Sequence, residues 1–251
     1  MTPAYFAQVR PTYIENWNDA LYSLSIPQMD IPLSLQDTIY FGTNLTVFGA
    51  SFGTPPQSIS RIKDRIEEAA LKHFPNGAFV RLGSRSGKDS TYAQHYGLKV
   101  THPYAAIKIL TEASERVAFD LRLALRYQYN PHIFVRQWLE IPTWAEFRCF
   151  MKNRKLVGIS QYDCKNLGHC PEIAANAKQI KSAIEAFFEE FKVVSHLDDV
   201  VFDIFIIVRE QESHFYFDVK LLELNPFFYK TDACLFDWRN SSDFDGSFIF
   251  L

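Results

Sequence analysis

The chain has 251 residues, 47% hydrophobic and 22% charged, a globular composition long enough for one large domain or two small ones. Its 26 Lys and Arg against 29 Asp and Glu leave a formal charge of −3, so no global field favours nucleic acid. The opening MTPAYFAQVRP lacks the basic start and apolar run of a signal peptide, and no apolar run approaches a membrane span, so a cytoplasmic protein is expected.

Trp17, Leu21 and Leu24 recur at helical spacing and predict a short amphipathic helix within residues 1–26. Residues 27–56 carry strand candidates near 38–41 and 45–48 and a Pro55-Pro56 break. SISRIKDRIEEAALKHF then shows a helical stripe of Ile62, Ile66, Ala69 or Ala70, and Phe74, stopped by Pro75-Asn76-Gly77. Ala78–Gly83 reads as a strand that feeds the polar loop SRSGKDS at 84–90, which has no apolar anchor in its sequence. A helix is predicted from Ser114 to about Gln128 and a strand over 133–141. Residues 146–163 form a β-hairpin with Lys152-Asn153-Arg154-Lys155 at its turn. Its alternation puts Glu146, Arg148 and Phe150 on one face and Phe147, Cys149 and Met151 on the other. A loop over 164–175, a helix over 175–191, a second hairpin over 203–225 and an aromatic tail complete an α+β pattern with largely antiparallel pairing. The four cysteines, Cys149, Cys164, Cys170 and Cys234, form no CxxC; reduced thiols are expected, although a Cys164–Cys170 disulfide is geometrically open.

Three groups of residues, and Arg148 beside them, are candidates to carry chemistry. Glu223 and Asn225 are two apart, so they share one face of a strand, and Asp203 lies on the neighbouring strand of the same hairpin. Oxygen donors of this kind suit Mg²⁺, which takes a few carboxylates plus phosphates and water. Arg81 precedes a loop whose Ser84, Ser86 and Lys88 offer the hydroxyls and charge a polyphosphate needs; a solvated turn has the same composition. Gln137, Trp138 and Leu139 end a strand that is able to present backbone groups to a purine edge. Arg148 is placed either to contact phosphate or to pair with an acid of the metal set. The seven histidines never fall at metal-ligand spacing.

Together, FVRLGSRSGKDS at 79–90, RQWLEIPTWAEFRCFMKNRKLVGISQYD at 136–163, and VFDIFI, LLELNPF and TDACLFDW at 201–206, 221–227 and 231–238 resemble the cell division cycle protein 123 family, a divergent branch of the ATP-grasp superfamily. The resemblance implies an ATP-grasp-like fold of two α+β lobes, 1–132 and 133–251, with largely antiparallel sheets enclosing a nucleotide site. It implies ATP with Mg²⁺, Arg81 where the family has a phosphate-binding Lys, and Lys88 in a mobile loop over the phosphates with Ser84 and Ser86. It also implies residues 137–139 at the adenine side, a catalytic or phosphate-facing Arg148, and Asp203, Glu223 and Asn225 as metal ligands. Arg81 departs from the family's Lys and Glu223 from its Asp. The eukaryotic family is associated with assembly of translation initiation factor two, which implies an ATP-dependent chaperone for a protein partner. The alternative is an ATP-grasp ligase that activates a carboxylate-bearing acceptor as an acyl-phosphate.

Overall fold

The computed structural model describes residues 2–43, 58–166, 168–211 and 214–251; the strand candidate at 45–48 lies outside them. Helices α1 (Pro3–Val9) and α2 (Asp19–Ser23) are joined by two 3-10 turns and capped by the side-chain oxygens of Thr2 and Asn18. Strand β1 (Gln28–Pro32), α3 (Leu35–Thr43) and α4 (Ser58–Glu68) follow; α4 runs into a π turn, Ala69–His73, before β2 (Ala78–Leu82). Next come α5 (Thr91–Tyr96), β3 (Lys99–Val100), α6 (Pro103–Thr111), α7 (Glu115–Arg126) and β4 (His132–Gln137). The hairpin β5 (Glu146–Lys152) and β6 (Lys155–Gln161), α8 (Pro171–Val194), the hairpin β7 (Val200–Gln211) and β8 (His214–Pro226), and a short β9 (Ser247–Ile249) complete the order.

Residues 27–139 form one compact unit, and residues 1–26 with 140–251 form the other. The sequence reading divided the chain after residue 132; in the structure β4 pairs with β1 and β2 inside the first of these units.

In the 27–139 unit an antiparallel sheet runs in the order β1-β4-β2-β3. One face presents Ile31, Val80, Leu82, Ile133 and Val135 to a core completed by Ile62 and Ile66 of α4, Ile109 of α6 and Leu121 of α7. Residues 38–41, expected as a strand, belong to α3. Ser34 donates to Asp37 from both N and Oγ, at 2.9 and 2.6 Å, and that reciprocal cap starts a helix despite the β-branched and aromatic residues that follow.

In the other unit the sheet order is β8-β7-β5-β6-β9, antiparallel except where β9 runs parallel to β6. The β5–β6 turn uses Asn153 and Arg154 at φ 48° and 58°, the paired left-handed conformation of a two-residue hairpin. One sheet face carries Phe147, Cys149 and Phe202 and packs on α8, where the Phe191 ring lies 4.3 Å from that of Phe202. The opposite face carries Arg148 and Phe150. Phe150 is enclosed by Phe236, Phe244 and Trp238 at ring distances of 5.1, 5.2 and 5.8 Å. The N-terminal segment is strapped to this unit: Ser25 Oγ donates to the Leu221 carbonyl at 2.7 Å, and Leu221 N–H donates to the Leu24 carbonyl at 2.9 Å. Helix α8 begins at Pro171, four residues before the expected start, because a proline at the first helical position forfeits no helical hydrogen bond. All four cysteines are free thiols.

Candidate functional site

Strand register builds a polar row across the second unit's sheet. Arg148 of β5 stands opposite Asp203 of β7, and Asp203 stands opposite Glu223 of β8. Asn225, two residues further along β8, lies on the same face, and the bulge after Asp203 falls beside the row. The structure therefore brings together Arg148, Asp203, Glu223 and Asn225.

Arg148 grips Asp203 as a fork: Nε donates to Oδ1 and Nη2 to Oδ2, both at 2.7 Å. Nη1 donates to the Asp232 carbonyl at 2.8 Å, and the guanidinium lies over the Tyr162 ring at 5.0 Å. Both members of the pair are buried, at 5% and 3% exposure. Asn225 Nδ2 donates to Asp203 Oδ2 and Glu223 Oε1, each at 3.2 Å. When both acids are ionised, two carboxylates face one guanidinium and the cluster carries a surplus negative charge. Burial pushes the Asp203 carboxyl up to about 6; Arg148 pulls it down and Glu223 pushes it further up. Burial likewise raises the Tyr162 phenol and pushes the Cys234 thiol up to about 12.

The donor set fits a hard cation. It is built of carboxylate and amide groups, the oxygen-bearing side chains such a cation takes. Glu223 and Asp203 would hold Mg²⁺, which when bound neutralises phosphate charge. Asn225 would join them only with its amide turned, since it now presents nitrogen to the carboxylates. Among the described residues, no group of three or more His, Cys, Asp or Glu side chains is arranged to hold a metal ion. Of the two settings open to Arg148, the structure shows the pairing with an acid: three of its nitrogens donate to Asp203 and Asp232.

In the 27–139 unit, Arg81 is 4% exposed and its Nε donates to the Leu82 carbonyl at 2.9 Å. Loop 84–90 is anchored, contrary to the reading from its composition. Gly87 is buried so closely that an added Cβ would lie 2.3 Å from the Ile109 carbonyl oxygen. Asp89 accepts from Ser114 Oγ at 2.6 Å and from Arg116 N–H at 3.1 Å, at the start of α7. Arg85 Nε donates to Asp120 at 3.0 Å, where burial raises the carboxyl and Arg85 and the Ser84 hydroxyl partly offset it. Ser86 bridges back to Arg81, and Lys88 is exposed. Of residues 137–139, Gln137 N–H donates to Pro27 and Trp138 N–H to Gly77, at 2.9 and 3.1 Å.

Sequence reasoning missed Tyr162 and Asp232 as supports of the Arg148 pair. The signal lay in the QYD and TDACLFDW segments, whose polar residues stand among apolar ones.

These features define an α+β protein with two largely antiparallel sheets, and the same fold occurs in a solved structure. Cdc123 from Schizosaccharomyces pombe superposes with a TM-score of 0.75 at 21% identity, covering 96% of this chain and 93% of that one. The D123 family model matches residues 49–245, and the chain belongs to that family. The translation initiation factor eIF2 assembly protein of Xenopus laevis is 30% identical over 193 residues, 71% of this chain and 54% of that protein. A putative CDC123-like protein of Acanthamoeba polyphaga mimivirus is 26% identical over 75% of this chain and 56% of its own length. The chain spans about half the length of the curated relatives it matches. Among the described residues no helix is long and apolar enough to cross a membrane.

Proposed function

We propose that this chain binds ATP with Mg²⁺ in the manner of an ATP-grasp protein and serves as an ATP-dependent assembly chaperone for a protein partner in the cytoplasm. The observation that carries the reading is the row of Arg148, Asp203 and Glu223 on one sheet face, which sets two carboxylates side by side with the Asn225 amide. Arg81, Ser84, Ser86 and Lys88 are assigned to phosphate and residues 137–139 to the adenine side. The partner class comes from the Xenopus relative, whose name describes an assembly protein for translation initiation factor eIF2. The ligase alternative calls for a cation free to hold the transferring phosphoryl group. The engagement of Arg148 with Asp203 and Asp232 favours docking over that chemistry. Calorimetry of ATP binding with Mg²⁺ and with EDTA tests the site, and equal affinity in the two would remove the metal. Pull-down with eIF2 in the presence and absence of ATP tests the partner, and capture that ignores ATP would remove the nucleotide dependence.

A further inference from the structure

Gln28 on β1 stands opposite Arg136 on β4, and Arg136 stands opposite Phe79 on β2. Alternation therefore puts Gln28, Arg136 and Arg81 on one sheet face, the one turned away from the Ile31, Val80 and Val135 core. Among the described residues, Gln28 Nε2 and Oε1 are both buried without a hydrogen-bond partner. Folded proteins rarely keep a buried amide unpaired, because its desolvation is then uncompensated; an apolar side chain of the same shape would serve the fold better.

We infer that Gln28 reads the base edge of a bound adenine nucleotide, donating from Nε2 and accepting at Oε1. The inference rests on the ATP reading above and adds to it a residue that selects the base. A carboxamide offers one donor beside one acceptor, the complement of the N6 amino group and N7 of adenine. Guanine places two acceptors, O6 and N7, on the corresponding edge, so one half of the carboxamide would face a like group. Placement supports the assignment. The Gln137 N–H to Pro27 carbonyl bond of 2.9 Å sets Gln28 directly beside the 137–139 segment. Arg81 lies two strands across and two residues along from Gln28, ~12 Å away on the same face by ordinary sheet spacings. Base and phosphates are thus served from two ends of one surface.

The test compares Gln28→Met with the native protein. Methionine keeps the length of the side chain and removes both polar atoms. Melting without nucleotide should be unchanged or raised. Calorimetry with ATP and GTP in Mg²⁺ should show the ATP dissociation constant raised about ten-fold or more, with the preference for ATP over GTP falling towards unity. Gln28→Glu keeps an acceptor and loses the donor; it should weaken ATP as well and carries the comparison if the methionine variant does not fold. Native-like ATP affinity and selectivity in a folded variant would overturn the inference and leave the ATP reading intact. A native protein that binds no ATP would overturn both.

Discussion

Arg148→Met separates a positioning role from a catalytic one. The substitution leaves the Asp203 carboxyl, 3% exposed, facing Glu223 with its two 2.7 Å charge-assisted bonds gone. Breaking a buried pair by removing one partner costs about 3–5 kcal/mol, because the remaining charge is uncompensated. At roughly 2–4 °C per kcal/mol for a chain of this size, melting of the nucleotide-free protein should drop by about 10 °C. The deficit should shrink at acid pH. Burial already lifts Asp203 to about 6, and without Arg148 the carboxyl moves higher still, so a neutral Asp203 that needs no cation forms below that range. Arg148→Met combined with Asp203→Leu should recover most of the loss, since an apolar pair replaces a buried ionic one at little cost. Circular dichroism melts of the three variants at pH 5 and pH 7.5 provide the measurement. A single variant that melts within about 2 °C of the native protein at neutral pH would refute the positioning argument.

Asp203 also sets a pH dependence. Its folded value of about 6 lies above the usual 3.8, so the folded nucleotide-free protein keeps a proton that the unfolded chain has lost; that favourable contribution is present below about pH 4 and fades as the pH rises through 6. Metal competes with this proton, so calorimetry near pH 5 in two buffers of different ionisation enthalpy should show about one proton released per Mg-ATP bound, and no release would remove Asp203 from the metal set. Gly87→Ala should lower the urea midpoint, because a methyl 2.3 Å from the Ile109 carbonyl forces backbone to move, at about 1–3 kcal/mol; an unchanged midpoint would show that the loop is not anchored there. Lys88→Ala should raise the dissociation constant of ATP about ten-fold while leaving that of adenosine unchanged, which equal losses for both ligands would contradict.

Where local pattern and tertiary contacts agree, the sequence was readable. The β5–β6 hairpin, the stripe of α4 and the Ser114 start of α7 all appear where the sequence pattern placed them. The E-x-N pair and Asp203 meet on one sheet face because strand alternation is a local rule. Other elements carried too little signal. α5 is six residues long with one buried side chain, and β3 is two residues long, paired with β2 and buried through Val100. β9 exists because it lies against β6, far away in sequence, and no local pattern announces a parallel partner. The surroundings of Arg148 were hidden for the same reason, as Asp203, Asp232 and Tyr162, which engage it, come from three separate segments.

The strap of residues 24 and 25 on Leu221 has a consequence for synthesis. The 27–139 unit interrupts the other in the chain, so a ribosome releases all its strands before the surface that receives the first 26 residues exists. Domains generally fold as units while the chain emerges, at about 5–20 residues per second. The inserted unit therefore has many seconds to fold first, while the leading segment waits unpaired for β8. Nascent chains arrested once residue ~200 has left the ribosome should resist protease across 78–137 and still be cut within 1–26, and simultaneous protection of both would mean that the 1–26 segment finds another seat in the interval.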